Sequence, residues 1–272
     1  MFSIERQEKI FEYINEKKEA KVSELSQIFN ISNVTIRHDI NTLAQKRLII
    51  KTHGGALSLE RRINGEIPYS SKFQKNVTEK RLIGKEAAQL IENNDVIILD
   101  AGSTTFEIAK NIYQKNVTVI TNDLKIGMEC ANNPKINLIM TGGALEPLVY
   151  TLMGDETVRF LSNIYVDKLF LGCDAYDLQT GISNRTLQEI SIKKTMIASA
   201  KEIILVTDHT KIRKKVFAHV CDPFVINTLV IDSMNEKDIA YLTQNGVQVI
   251  LAGEARSSDE NIERKDENAD TN

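Results

Sequence analysis

The sequence predicts an α/β protein in two parts: an N-terminal winged helix-turn-helix and a C-terminal α/β domain with a largely parallel sheet. Three observations carry this. Up to residue 56, apolar residues recur at helical spacing and end in a Gly-Gly pair. From residue 79 to 252, short apolar runs alternate with helical stretches. The composition of the 272 residues, 42% hydrophobic and 26% charged, is that of a folded globular chain.

In the first part, Ile4, Ile10, Phe11 and Ile14 form one apolar stripe, with Glu5, Glu8, Glu12, Glu16 and Lys17 on the other face. A second short helix with apolar Leu25, Ile28 and Phe29 follows Val22-Ser23, and the Ser23 hydroxyl is expected to cap it. Asn30-Ile31 turns the chain, and Ser32 is an N-cap for a third helix that buries Ile36, Ile40 and Leu43. Leu48-Ile49-Ile50 reads as extended, and Gly54-Gly55 permits the tight bend of a wing.

Residues 57–78 carry mixed charge with little periodicity and read as a linker. Lys80 starts an amphipathic helix with Leu82, Ile83, Ala87, Leu90 and Ile91. Apolar strands are then expected at 96–100, 117–121, 136–140, 168–172, 203–206, 229–231 and 247–251. In a parallel sheet covered on both faces, ligands bind at the carboxyl ends of the strands. Residues 253–272 have no apolar pattern and read as a disordered acidic tail.

The third helix exposes Asn33, Thr35, Arg37, His38 and Asn41, the short polar and cationic side chains that a major-groove helix needs. The formal net charge of the chain is −3, yet residues 30–62 carry a net of +4. Periodicity alone fits equally well a helical protein–protein module with a solvated face. In the second part, Asp100-Ala101-Gly102-Ser103-Thr104-Thr105 follows the first strong strand and opens a helix, an arrangement suited to an anion and also to a plain N-cap. Asn122, Gly143, Asp174, Glu189 and Lys211 follow or flank later strands, and carboxylates with a lysine suit sugar hydroxyls and a phosphate.

The combination Val22-Ser23-Glu24-Leu25, residues 31–40 (ISNVTIRHDI) and His53-Gly54-Gly55-Ala56 closely resembles the helix-turn-helix of the DeoR family of bacterial transcriptional repressors. The chain departs from that pattern at His38, Arg47 and Lys51, where Arg, Gly and Arg are usual; a histidine at position 38 makes affinity sensitive to pH. Residues 80–232 resemble the family's C-terminal sensor domain, which is similar to the ribose phosphate isomerase fold. The resemblance implies double-stranded operator DNA as partner of Ser32, Asn33, Thr35, Arg37, His38, Asn41, Lys51 and His53. It also implies a phosphorylated sugar held by Asp100, Gly102, Ser103, Thr104, Thr105, Asn122, Gly143, Asp174, Glu189 and Lys211.

The domain boundaries expected are thus 1–56, 57–78, 79–252 and 253–272. The isomerases carry a carboxylate where this chain has Leu171, which favours binding over turnover. An isomerase with Glu189 as base and a transcriptional activator are the alternatives. One helix-turn-helix is a small interface, so a homo-oligomer on a two-fold site is expected. No cofactor is expected, and His38, His53, His209 and His219 are too scattered to form a metal site. Asp39 reads as a helix-surface or intradomain ion-pair residue rather than a base reader, and Cys173 as a strand-end core residue. The three cysteines suggest no disulfide framework, and neither a signal peptide nor a membrane-spanning run is evident, so a cytoplasmic setting is expected.

Overall fold

The computed structural model describes residues 3–46, 48–58, 69–113, 115–146 and 149–253. In chain order the first elements are α1 (Ser3–Lys17), β1 (Glu19–Lys21), α2 (Val22–Phe29), α3 (Asn33–Gln45), β2 (Ile49–Lys51) and β3 (Gly55–Ser58). Ile10 and Ile14 of α1 pack with Leu25, Ile36, Ile40, Leu43, Ile49 and Ala56 in one core, as the helical spacing predicts. Ile4 is 73% exposed and Ile28 49% exposed, so the apolar stripes of α1 and α2 are narrower than expected.

The N-cap of α2 also differs from the expectation. Ser23 lies inside the helix, and the capping contact is made by the Glu24 carboxylate, which accepts from the Lys21 N–H at 3.3 Å. Asn30, at φ 53°, closes α2 in the left-handed region, and the Ser32 hydroxyl caps α3 by accepting from the Thr35 N–H at 3.2 Å. β1, absent from the sequence reading, turns the hairpin into a three-stranded antiparallel sheet of order β1-β3-β2. Gly55 is required for this pairing, since a Cβ there would lie 2.1 Å from the Ala20 carbonyl oxygen.

The segment read as a linker contains a helix, α4 (Tyr69–Gln74), and the first residues of α5 (Val77–Gln89). There follow β4 (Val96–Leu99), α6 (Ser103–Ala109), β5 (Val117–Thr121), α7 (Leu124–Ala131), β6 (Ile136–Met140), β7 (Ala144–Glu146), β8 (Thr151–Met153), α8 (Asp155–Leu161) and β9 (Val166–Leu171). The chain continues with β10 (Ala175–Asp177), β11 (Gly181–Asn184), α9 (Gln188–Ser199), β12 (Ala200–Val206), β13 (Ala218–Cys221), β14 (Thr228–Ile231), α10 (Glu236–Gln244) and β15 (Gln248–Leu251). The expected tail lies outside the described residues from position 254 onward.

Every strand predicted for the second part is present, and together they form one seven-stranded sheet of order β15-β14-β12-β9-β4-β5-β6, parallel throughout. Its strands read as unbroken apolar runs because both faces are covered. Ile97, Leu99, Val119, Phe170 and Ile204 pack against Ile83, Ala87, Ile108 and Ile126 of α5, α6 and α7. Ile98, Ile120, Leu169, Leu171 and Leu205 face Leu161, Ile192, Met196 and Leu242 of α8, α9 and α10. Two short antiparallel sheets, β10-β11-β13 and β7-β8, were not anticipated.

The chain steps outward from β4 to β5 and β6, then crosses back to lay β9 on the other side of β4. The strand order reverses between β4 and β9, and in open parallel sheets ligands bind outside the carboxyl ends of the strands at such a point. That switch point positions the residues described next.

Candidate functional site

In the N-terminal part, Val34, Arg37, His38 and Asn41 share one face of α3 at helical spacing. Asn33, Arg37 and His38 are exposed, Thr35 and Asn41 half-buried, and Lys51 and His53 exposed on the β2–β3 hairpin. Ser32 is spent partly as a cap, its hydroxyl also lying 2.9 Å from that of Thr35. Sequence reasoning passed over Val34, which is 74% exposed and offers an apolar contact amid polar ones. Arg47 lies outside the described residues.

The opposite face of α3 is anchored by charge as well as by its apolar stripe. The fully buried Asp39 carboxylate accepts from Arg6 at 2.6 and 3.2 Å and from the Gln7 amide at 3.2 Å. Asp39 is therefore an ion-pair residue of the domain interior.

In the second part, the ends of β4 and β9 are tied together. The buried Asp100 carboxylate accepts from the Gly172 N–H at 3.0 Å and from the Lys193 ammonium, which also donates to the Gly172 carbonyl at 3.0 Å. Lys193 is almost fully buried; burial alone would lower its affinity for a proton, but Asp100 and Glu189 more than offset this and hold it above the ordinary lysine value. Asp100, predicted to touch a ligand, is thus already paired with Lys193. No sequence motif marked Lys193, because its role depends on α9 passing over the switch point.

Around this pair lies a cationic cluster. The Lys72 ammonium is 3.2 Å from the Asp174 carboxylate, which also accepts from the Arg185 N–H at 3.2 Å. Burial would raise the Asp174 carboxyl, yet Lys72 and Lys211 keep it well below the usual carboxylate range. The Lys211 ammonium donates to the Cys173 carbonyl at 2.7 Å. Lys80, buried in α5, is pushed down to about 8, chiefly by burial and then by Lys211. Its ammonium donates to the carbonyl of Lys72 and, at 2.5 Å, to that of Lys75, while the Ser103 hydroxyl donates to the Lys72 carbonyl at 3.4 Å.

The loop between β4 and α6 is held from below. The Gly102 N–H donates to Asp123 at 3.2 Å, and the Thr105 hydroxyl donates to the Gly102 carbonyl at 2.9 Å. Asp123, which caps α7, is pushed up to about 6 by burial. Ser103, Thr104 and Thr105 are all buried at the start of α6. Glu189 accepts from the Asn184 amide at 2.5 Å.

Of the predicted set, hydrogen bonds or ion pairs join Asp100, Gly102, Ser103, Thr105, Asp174, Glu189 and Lys211 to this cluster or its supports. The contacts of Asn122 and Gly143 are with β8 and α8. The Asn122 amide donates to the Leu152 carbonyl at 3.2 Å, and a Cβ on Gly143 would meet the Thr157 hydroxyl at 2.3 Å. Lys72 and Lys80 were missed as site residues, the first because it lay in the presumed linker and the second because a lysine opening an amphipathic helix is ordinarily solvated.

Residues 6–62 match the model of the DeoR-like helix-turn-helix domain, and residues 75–233 match that of the DeoR C terminal sensor domain. The chain is 36% identical over 233 residues to an uncharacterized HTH-type transcriptional regulator, YulB, of Bacillus subtilis, covering 86% of this chain and 90% of that one. It is 33% identical over 254 residues to a putative aga operon transcriptional repressor of Escherichia coli O157:H7, covering 92% and 94%. Among solved structures, a ribose 5-phosphate isomerase from Methanocaldococcus jannaschii superposes with a TM-score of 0.39 at 21% identity, over 52% of this chain and 56% of that one.

Proposed function

Because the chain belongs to the DeoR family of transcriptional regulators, we propose that it represses a carbohydrate-use operon and releases its operator when a phosphorylated sugar occupies the crevice between β4 and β9. The relatives are regulators, and the isomerase alternative finds no support among them. The observation that carries the effector reading is the convergence of Lys80 and Lys211 with the Ser103 hydroxyl and the Asp174 carboxylate at the switch point. Cations and hydroxyls there suit a phosphate, and the carboxylate suits sugar hydroxyls.

In this reading Lys80, Gly102, Ser103, Thr104 and Thr105 take the phosphate, and Asp174, Glu189 and Lys211 face the sugar. Asp100 acts as a positioning residue through Lys193. On DNA, Asn33, Thr35, Arg37, His38 and Asn41 read the major groove, and Val34 offers a contact to a thymine methyl group. Ser32, Lys51 and His53 lie against the phosphate backbone. The protein works in the cytoplasm as a homo-oligomer whose paired helices match a two-fold operator.

The test uses duplexes selected from a random pool by the wild-type protein. Arg37→Ala is expected to abolish binding to them while leaving the thermal shift induced by sugar phosphates intact. Operator affinity retained in that variant would defeat the assignment of α3.

A further inference from the structure

Two carbonyls, one in the last turn of the six-residue helix α4 and one just beyond it, meet donors of the effector crevice. The Lys72 and Lys75 carbonyls accept from the Lys80 ammonium, and the Ser103 hydroxyl donates to the Lys72 carbonyl. The same residue's ammonium sits 3.2 Å from Asp174. Phe73 fastens the helix from the side, its ring edge-on to Phe106 of α6 at 5.9 Å between centroids.

The chemistry of the contacts is that of a ligand. Carbonyl oxygens at a helix C-terminus carry partial negative charge, and they take the ammonium and hydroxyl that a phosphate oxygen would take. A donor ammonium takes the carboxylate that sugar hydroxyls would take. One short element thus satisfies both halves of the crevice. It also follows directly on residues 59–68, the chain that joins β3 to the sensor domain.

We infer that α4 is a built-in occupant of the effector crevice, which a bound sugar phosphate displaces, and that its release carries the signal toward the DNA-binding domain. This rests on the effector reading above. A crevice that must first lose its occupant binds effector with an affinity reduced by the fraction of molecules already open. Weakening α4 docking therefore strengthens effector binding, whereas removing a true ligand residue weakens it. The two roles have opposite signs.

The experiment measures binding of inorganic phosphate and of ribose 5-phosphate to the full chain by calorimetry, for wild type, Lys72→Ala, Lys72→Arg and Phe73→Ala. Lys72→Ala and Phe73→Ala are expected to bind about three- to tenfold more tightly than wild type, with Lys72→Arg close to wild type. Hydrogen exchange at residues 69–74 is expected to quicken in both tighter binders without ligand, and in wild type when ligand is added. Binding that is unchanged or weakened in both Lys72→Ala and Phe73→Ala overturns the inference and leaves the effector reading standing. If wild type and variants alike bind neither probe at millimolar concentration, the effector reading fails, and the inference falls with it.

Discussion

Replacing Lys193 by Met would strand a carboxylate in the protein interior. Asp100 is 2% exposed and Lys193 4% exposed, so water cannot take over the lost partner. Removing one member of a buried ion pair costs about 3–5 kcal/mol, because the remaining charge is desolvated without compensation. The Gly172 N–H still donates to Asp100 at 3.0 Å, which places the expected loss near the lower end. At about 2–4 °C per kcal/mol for a domain of this size, a loss of about 3 kcal/mol lowers the melting temperature by about 6–12 °C.

The assay is thermal unfolding followed by circular dichroism at neutral pH. The double variant Asp100→Asn with Lys193→Met removes both charges and is expected to recover most of the deficit, since a neutral side chain can still accept from Gly172. A single Lys193→Met variant that melts within about 2 °C of wild type would rule out a buried, stabilising pair. That result would mean the pair is open to solvent and does not hold β4 to β9.

Three further outcomes follow from the geometry. Gly55→Ala places a methyl group 2.1 Å from the Ala20 carbonyl oxygen, so β1 must separate from β3; the N-terminal domain should lose about 1–3 kcal/mol in denaturant melts, and operator binding should weaken. Burial holds Asp123 protonated up to about 6, so the folded state binds this proton more tightly than the unfolded chain. Stability from this group is present at low pH and falls as pH rises toward about 6, and Asp123→Asn should flatten that part of a melting-temperature profile. Lys80, pushed down to about 8, should lose its charge just above neutrality, so calorimetric affinity for phosphate should drop as pH passes 8 in wild type, while Lys80→Met binds weakly on either side of it.

The parallel sheet was legible because its strands are short unbroken apolar runs, and α3 because Ile36, Ile40 and Leu43 repeat at helical spacing after a Ser cap. The loop at Gly102–Thr105 was legible from its position after a strand. What escaped notice depends on distant parts of the chain. β1 is three residues long and exists only because β3 pairs with it, and α4 is too short to show periodicity. Lys72, Lys80 and Lys193 are ordinary lysines along the chain. Only the crossing of α4, α5 and α9 over one pair of strand ends brings them together, and that depends on the strand order reversing between β4 and β9.

The Asp39–Arg6–Gln7 junction has a bearing on how a signal could reach the operator. A guanidinium and an amide from α1 grip α3 from behind through the fully buried Asp39 carboxylate, so turning or sliding that helix would strip a buried charge of its partners. The reading head is thereby stiff. In a homo-oligomer of the kind proposed, control over gene expression would then fall to how two such heads are spaced and aimed along the duplex, while the surface each presents to the bases stays the same.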